Sequence, residues 1–127
     1  MANILAIDDE SSCLEIINFI LTAQEHKVFN ATNGEDAIKF LKNNEHTIDL
    51  ILLDMMMPAM NGLETFKQIR IIEYAKFIPI IFQTGASDYI QFNEISDQHN
   101  INPVIKKPYK RTELINIINV TLASKEI

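Results

Sequence analysis

The sequence predicts an α/β fold, doubly wound around a five-stranded parallel sheet in the order 2-1-3-4-5 with helices on both faces. Short apolar runs alternate with amphipathic segments five times, and this alternation implies parallel strands joined by right-handed crossovers. Four runs end on Asp8-Asp9, Asp54, Thr84 and Lys107, whereas the second ends in nothing comparable, which fits an edge position for the second strand. The length of 127 residues fits one domain, expected to span residues 1–127.

The predicted strands are the five apolar runs, at residues 3–7, 26–31, 50–53, 79–83 and 104–106. The predicted helices are the amphipathic segments, at residues 11–24, 34–41, 63–74, 88–98 and 114–122. In the first helix Leu14, Ile17 and Leu21 recur at helical spacing, which predicts one buried face. The second helix is expected to begin around Asn33, because a capping side chain there precedes acids in the first turn.

The third strand delivers the residue around which the chain is organised, Asp54. The run at 50–53 is apolar without alternation, which is typical of a strand buried on both faces. Pro58 ends the backbone pairing, and Asn61-Gly62 allows the chain to turn. A helical period of apolar residues follows at Leu63, Phe66 and Ile69.

The last two strands also end on polar residues. The fourth ends on Thr84-Gly85, and the short fifth strand leads into Lys107-Pro108. The segment 88–98 is a predicted helix although its apolar residues do not form one clean stripe. The final helix has the clearest apolar face, formed by Leu114, Ile117, Ile118, Thr121 and Leu122.

Composition excludes several classes of function. Seventeen acidic and eleven basic residues give a net charge of −6, which argues against direct nucleic-acid binding. The single Cys13 cannot form an internal disulfide, and the N-terminus lacks a signal-peptide pattern, so a cytoplasmic location is expected. No apolar run approaches the roughly 18 residues of a membrane span, so no membrane partner is expected.

The polar strand ends predict a binding site. Carboxyl ends of parallel strands meet at one edge of the sheet, where ligands bind in this class of fold. Asp8-Asp9 follow the first strand, Asp54 the third, Thr84 the fourth and Lys107 the fifth. With strands about 4.8 Å apart, the first and fifth ends lie roughly 14 Å apart, a gap that an inward-leaning lysine can close.

Three ionised carboxylates in one cleft repel each other, by roughly 3 kcal/mol for a pair about 5 Å apart at an effective dielectric of 20. A divalent cation relieves this repulsion. Hard oxygen ligands without a second cysteine or a nearby histidine favour Mg²⁺ over zinc, with Mn²⁺ as a substitute. Such a cation beside a lysine and a hydroxyl fits phosphoryl transfer, with Asp54 as the acceptor of the phosphoryl group.

Each of these features also has a simpler interpretation. Asp8-Asp9 taken alone would be read as a cap of the first helix. Four methionines are expected to fill gaps in the packing rather than to form a binding surface: Met55, Met56, Met57 and Met60. Three histidines are expected on the surface: His26, His46 and His99. The convergence of four polar strand ends in the right order is what favours a site.

With these residues in view, the sequence resembles the receiver domains of bacterial-type two-component response regulators over essentially its whole length. The matching motifs are Asp8-Asp9, the segment 54–62, Thr84 and Lys107-Pro108-Tyr109, of which the segment 54–62 is the specific one. The resemblance implies a flavodoxin-like fold and a phosphorelay function. A histidine kinase or a histidine phosphotransfer protein would be the phosphoryl donor.

The resemblance also implies individual roles. Asp54 would be the phosphoacceptor, and Asp9, Asp54 and the backbone carbonyl of Met56 would hold Mg²⁺, with Asp8 supporting the ion through water. Lys107 would contact the phosphoryl oxygens.

Signalling in this family involves a further set of residues. Thr84 would swing toward the phosphoryl group, and the Lys107-Pro108 bond would be cis, against a base rate of about 5–6%. The family usually carries an inward-rotating aromatic residue three positions before the lysine, where this chain has Val104. Val104 does not affect the phosphorylation chemistry. It does affect the usual conformational signal, because an aliphatic side chain has no ring to rotate inward. A protein partner is therefore expected on the face formed by residues 88–98, the fifth strand and the last helix, with exposed contacts at Tyr89, Tyr109 and Ile115.

The sequence is thus interpreted as a stand-alone receiver, phosphorylated on Asp54 and acting through a protein partner rather than as an enzyme. Dephosphorylation is expected to be slow, since Met56 and Ala86 occupy positions where the family can place water-orienting side chains. One alternative is a receiver cut from a DNA-binding regulator or a hybrid kinase. Another alternative is a magnesium-dependent phosphohydrolase, but such an enzyme would carry an aspartate at position 56, where this chain has Met56. A flavin-binding module of the same fold would carry a hydroxyl- and glycine-rich phosphate loop after the first strand, where this chain has Asp8-Asp9-Glu10-Ser11.

Overall fold

A computed structural model describes residues 1–57, 59–85 and 104–125 of the chain. Five parallel strands form one sheet: β1 (Asn3–Ile7), β2 (Lys27–Ala31), β3 (Leu50–Asp54), β4 (Ile80–Thr84) and β5 (Val104–Lys106). Their order is β2-β1-β3-β4-β5, which confirms the predicted topology. The predicted helix at 88–98, together with Tyr89, His99 and Ala86, lies outside the described residues.

The described helices are α1 (Ser11–Ala23), α2 (Gly34–Asn43), α3 (Gly62–Ile71) and α4 (Arg111–Lys125), with a 3-10 turn at Glu73–Ala75. Alternate strand residues point to opposite faces of the sheet, so each face builds its own core. One core packs against α1 and α4, and the other packs against α2 and α3. Within the described part of the chain, no helix has the length and apolar character needed to cross a membrane.

The central strand is fully enclosed, as its sequence predicts. Residues Leu50 to Leu53 of β3 are each 0% exposed. Ile7 pairs with Leu53 across β1 and β3, and Asp54 pairs with Gln83 across β3 and β4. The carboxyl ends of these three strands therefore lie level, along one edge of the sheet.

Asparagine side chains start two of the helices. Asn33 accepts a hydrogen bond from the amide of Asp36 at 2.8 Å and caps α2, and Asn61 caps α3 by accepting from the amide of Glu64 at 2.9 Å. At Gly62 a Cβ atom would lie 2.5 Å from the carbonyl oxygen of Asp54. Glycine therefore allows α3 to begin directly against the end of β3.

The third helix is shorter than the sequence predicts, since it ends at Ile71 rather than near residue 74. Ile72 is extended, with φ −70° and ψ 120°, and the 3-10 turn follows it. The guanidinium of Arg70 donates to the carbonyl oxygen of Ala75 at 3.2 Å, which holds this turn against the helix. Burial of Ala75 in the core outweighs the continuation of the helical period.

The prediction that the histidines lie on the surface is wrong for His26. Its side chain is 8% exposed, and Nδ1 accepts a hydrogen bond from the backbone amide of Ala2 at 3.0 Å. Burial, and then the positive N-terminal amine, lower the pKa of this imidazole, so it is held neutral. His46 is exposed, as predicted.

Candidate functional site

Three carboxylates meet at the level ends of β1 and β3. Asp8 follows β1 and is 0% exposed, Asp9 is exposed, and Asp54 at the end of β3 is 5% exposed. Ligand oxygens of the three side chains lie within 4.8 Å of one another. The structure therefore brings together the acids that the strand pattern placed at one edge.

Asp8 is not a helix cap. The N-cap position of α1 is Glu10, and no side chain caps that helix end by a hydrogen bond. Instead, Asp8 Oδ1 accepts from the amide of Glu10 at 3.0 Å, and Asp8 Oδ2 accepts from the ammonium of Lys107 at 2.8 Å. Both oxygens thus have partners, and the side chain serves to hold Lys107.

Lys107 crosses from the end of β5 to the acids, closing the gap estimated from strand spacing. Its Nζ atom lies 2.8 Å from Asp8 Oδ2 and 3.8 Å from Asp54 Oδ2. Burial alone would lower the pKa of this ammonium. The hydrogen bond to Asp8 and the charge of Asp54 outweigh burial and raise the pKa, so the group stays charged. The Lys107-Pro108 peptide bond is cis, as expected.

Asp54 lies in surroundings that disfavour its ionised form. Burial, and then the negative charge of Asp8, raise its pKa from an ordinary 3.8 to about 7. Lys107 and a hydrogen bond from the amide of Met56 to Asp54 Oδ1, at 3.3 Å, act in the opposite direction. One ammonium does not offset three carboxylates, so a further cation at this cluster would favour ionised Asp54.

The donor set of the cluster fits Mg²⁺. Asp8, Asp9 and Asp54 offer hard oxygen ligands, and the exposure of Asp9 leaves the cluster open to water, which Mg²⁺ usually retains among its ligands. A second group in the described chain, Asp8 with Glu10 and Cys13, is equally close. Its thiol is a poorer ligand for Mg²⁺ than a third carboxylate. The backbone carbonyl of Met56 stays a predicted ligand.

Thr84 is fully buried at the end of β4. Its hydroxyl donates to the carbonyl oxygen of Gly85 at 3.3 Å, which is a long hydrogen bond for an O–H donor. Its own carbonyl accepts from the backbone amide of Lys107 at 2.7 Å. Thr84 is therefore tied through the backbone to the lysine that contacts the acids.

Gln83 is a residue of this region that sequence reasoning missed. It is 0% exposed, and its Oε1 atom accepts a hydrogen bond from the hydroxyl of Tyr109 at 2.9 Å. Burial in particular raises the pKa of Tyr109 to about 12, so the phenol is a stable donor. The available signal was a polar residue inside the apolar run of β4, directly before Thr84.

A cavity of about 380 Å³ opens beside the cluster, between the start of α1 and the segment that follows β5. It is lined by Glu10, Cys13, Ile16, Lys107, Pro108 and Tyr109. Cys13 Sγ lies 3.8 Å from Lys107 Nζ, so the lysine is shared between the cavity and the acids. Burial, and then the charge of Asp8, raise the pKa of Cys13, which keeps it a thiol.

The four methionines after Asp54 differ in burial, and Met60 is half-buried. Met55 and Met57 are 6% and 7% exposed and fill the core, as predicted. Met56 is 54% exposed, so the expectation that it packs is wrong. Met56 lies beyond the end of β3, where the chain leaves the enclosed sheet, so its side chain is no longer covered by the helices.

The expected partner face also needs correction. Tyr109 and Ile115 are half-buried rather than exposed, because Tyr109 is hydrogen-bonded to Gln83 and Ile115 packs against the core under α1 and α4. Val104, at the position of the family's aromatic residue, is half-buried and lies opposite Phe82 across β4 and β5.

Comparison with known proteins finds a matching family model and several similar regulatory proteins. The family model of the response regulator receiver domain matches residues 4–119. The transcriptional regulatory protein AfsQ1 of Streptomyces coelicolor is 33% identical over 108 residues, which cover 82% of this chain and 46% of AfsQ1. The CpxR homolog of Haemophilus influenzae is 31% identical over 122 residues, covering 96% of this chain and 51% of that protein. The chain thus spans about half the length of these curated relatives.

Solved structures of receiver domains have the same fold as this chain. A response regulator receiver domain protein of Clostridium thermocellum superposes with a TM-score of 0.88 at 27% identity, covering 99% of this chain and 98% of that one. The receiver domain of the sensor histidine kinase PA1611 of Pseudomonas aeruginosa, which holds a magnesium ion in its active site cleft, gives a TM-score of 0.85 at 26% identity. That match covers 96% of this chain and 98% of the PA1611 domain. The fold, the strand-end cluster and the family match together show that this chain belongs to the response regulator receiver domain family of two-component systems.

Proposed function

We propose that Asp54 accepts a phosphoryl group and that residues 1–127 act as one receiver. The observation that carries this proposal is the contact set at the strand ends, where Lys107 lies 2.8 Å from Asp8 and 3.8 Å from Asp54. An acceptor carboxylate beside a fixed ammonium and two further acids provides both a nucleophile and charge stabilisation. The proposed donor is a histidine kinase or a histidine phosphotransfer protein.

The transfer is a substitution at phosphorus. An oxygen of ionised Asp54 forms a bond to phosphorus as the P–N bond of a phosphohistidine breaks. The imidazole nitrogen keeps the electron pair and then takes a proton from water. Lys107, aimed by Asp8, neutralises the phosphoryl oxygens. Mg²⁺ held by Asp9, Asp54 and the carbonyl of Met56, with Asp8 in support, would supply further charge neutralisation.

The signalling state is proposed to follow from contacts that the phosphoryl group adds. Thr84 would turn its hydroxyl toward that group, and Lys107 would contact it, so that one of two conformations is favoured. Val104 has no ring to relocate. The change would therefore reach a downstream protein partner in the cytoplasm through other residues.

We do not assign turnover of a separate substrate to this site. A phosphohydrolase of the aspartyl-phosphate type would need an acid at residue 56, where Met56 stands. The chain is proposed to assist its own phosphorylation and its own slow dephosphorylation.

A second candidate keeps the same chemistry within a longer DNA-binding regulator. It is favoured by the relatives named as transcriptional regulatory proteins, which are about twice as long as this chain. The net charge of −6 argues that the present residues would not be the part that contacts DNA.

Intact mass after incubation with acetyl phosphate and Mg²⁺ tests the proposal. The wild type should gain one phosphoryl group and Asp54→Asn none. Asp36→Asn, which makes the same change at an exposed residue of α2, should behave as the wild type. A wild type without an adduct, or an Asp54→Asn variant with one, would overturn the assignment.

A further inference from the structure

Gln83 is an unusual choice for its position. All five residues of β4 are buried, and Gln83 is the one with a long polar side chain. Its Oε1 atom is bound by Tyr109, but its Nε2 atom has no hydrogen-bond partner among the residues that the structure describes. A buried, unpaired donor disfavours folding, and a methionine of similar size would pack without one. Core packing therefore does not explain a glutamine here.

Gln83 stands at the junction of the acids and the lysine. It pairs with Asp54 across the β3–β4 ladder, and its carbonyl accepts from the amide of Met55 at 2.9 Å. The next residue, Thr84, accepts from the amide of Lys107 at 2.7 Å. Two consecutive residues of β4 thus contact both the acceptor segment and the segment carrying the lysine.

The segment 107–109 is consequently held at two points. The backbone of Lys107 is bound by Thr84, and the hydroxyl of Tyr109 is bound by the side chain of Gln83. Pro108 lies between them, and its ring restricts the backbone that joins the two points. Fixing Tyr109 therefore fixes the direction in which the side chain of Lys107 leaves the backbone.

We propose that Gln83 is a positioning residue for phosphoryl transfer, which acts through Tyr109 to aim Lys107 at Asp8 and Asp54. The inference rests on the proposed function of Asp54 and adds a residue to it. A lysine side chain has four rotatable bonds, so its ammonium stays in place only when both ends are held. Asp8 holds one end at 2.8 Å, and the Gln83–Tyr109 pair helps to hold the other.

Two substitutions remove this hydrogen bond while keeping the shape of the core. Gln83→Met deletes the amide, and Tyr109→Phe deletes only the hydroxyl. Each should slow the formation of the phosphoryl adduct from acetyl phosphate and Mg²⁺ by about threefold to tenfold, since a displaced catalytic group loses rate steeply with distance. The melting temperature of Gln83→Met should change little, because loss of the unpaired Nε2 amide offsets loss of the acceptor of the Tyr109 hydroxyl.

The controls make the same chemical changes elsewhere. Tyr74→Phe removes another buried phenolic hydroxyl, at the opposite end of the sheet, and Gln68→Met changes an exposed glutamine of α3. Both should form the adduct at the wild-type rate. The double variant Gln83→Met with Tyr109→Phe should be no slower than the slower single variant, because both changes break one interaction.

A background without the lysine separates positioning from a general structural effect. In Lys107→Ala, which should be slow by itself, Gln83→Met and Tyr109→Phe should cause no further loss of rate. Wild-type rates in both single variants would overturn the inference, as would a loss of rate that persists in the Lys107→Ala background. If Gln83→Met does not fold, Tyr109→Phe decides. A wild type that forms no adduct would instead refute the proposed function itself.

Discussion

At the scale of single residues, Asp54 is a buried carboxylate whose ionised form is disfavoured by its surroundings. The unfolded chain ionises Asp54 near 3.8, whereas in the metal-free folded protein its pKa is about 7, because of burial and Asp8. Between these values the folded state binds a proton that the unfolded state does not. The contribution of this residue to stability is therefore largest at low pH and is lost as the pH rises toward about 7.

Asp54→Asn should remove this pH dependence. Without metal, the variant should be more stable than the wild type at pH 8, on the order of 2 kcal/mol, and the difference should shrink toward pH 4. Urea unfolding at several pH values in the presence of a chelator measures it. Glu15→Gln, the same change at an exposed acid of α1, should not alter the slope. A variant equal to or less stable than the wild type at pH 8 would show that the acids do not repel as the structure indicates.

The exposure of Met56 bears on how long the proposed phosphoryl group would stay on Asp54. Its side chain is 54% exposed two residues after Asp54, and a thioether cannot orient an attacking water well. Met56→Asn should shorten the lifetime of the aspartyl phosphate by about threefold to tenfold, since an amide can place a water in line with phosphorus. Decay of the purified phosphorylated protein with Mg²⁺ measures this. Ile71→Asn, at another exposed apolar residue, should decay as the wild type does.

Individual site residues were predictable where the topology alone places them. The strand order brings Asp8, Asp54 and Lys107 to one edge of the sheet whatever their rotamers. Their closeness could therefore be predicted from the sequence. The Gln83–Tyr109 hydrogen bond depends on the path of the segment that follows β5, which brings Tyr109 back to β4. No local sequence pattern predicts that path. His26 was missed for the same reason, because its burial depends on the distant amide of Ala2.

At the scale of elements, the connection between β3 and α3 controls where Asp54 sits. A Cβ atom on Gly62 would meet the carbonyl oxygen of Asp54 at 2.5 Å and Met55 Cα at 2.7 Å, both on the backbone. Ala59, in the same connection, has a left-handed φ of 66°, which disfavours a residue with a side chain. These two positions should respond to substitution in opposite directions.

Gly62→Ala should destabilise the protein by about 1–3 kcal/mol and slow phosphorylation, because the end of β3 has to move. Ala59→Gly should be neutral or stabilise by up to about 1 kcal/mol, since glycine adopts a positive φ without strain. Urea midpoints and the rate of adduct formation measure both effects. A Gly62→Ala variant of wild-type stability would mean that α3 can shift without disturbing Asp54.

Element types were more predictable than their ends. The uniform apolar run of β3 and the Asn33 cap of α2 are local signals, and the structure confirms both. The cap at Asn61 lies where the sequence predicted only a turn. The end of α3 is set by Arg70 reaching the carbonyl of Ala75 and by burial of Ala75, which are tertiary contacts. The helical period of apolar residues continues past Ile71, so no local pattern marks the end of the helix there.

At the scale of the whole molecule, a metal ion bound by the strand-end acids would be coupled to folding. The cluster forms only when β1 and β3 are paired, because Asp8 and Asp9 follow β1 whereas Asp54 ends β3. Asp8 and Asp54 are 46 residues apart in the sequence. The unfolded chain does not hold these oxygens within 4.8 Å of one another, as the folded chain does. A cation that binds the cluster therefore binds the folded state and raises its stability by mass action.

Titration with Mg²⁺ should raise the melting temperature of the wild type, by about 5–10 °C at a concentration a hundred times the dissociation constant. Asp9→Ala removes the exposed carboxylate and should shift the titration to higher Mg²⁺ concentrations while leaving the metal-free melting temperature nearly unchanged, since Asp9 lies at the surface. Glu15→Ala removes an exposed acid away from the cluster and should titrate as the wild type does. A wild type that does not respond to Mg²⁺, or an Asp9→Ala variant with an undiminished response, would show that the three carboxylates do not form the metal site.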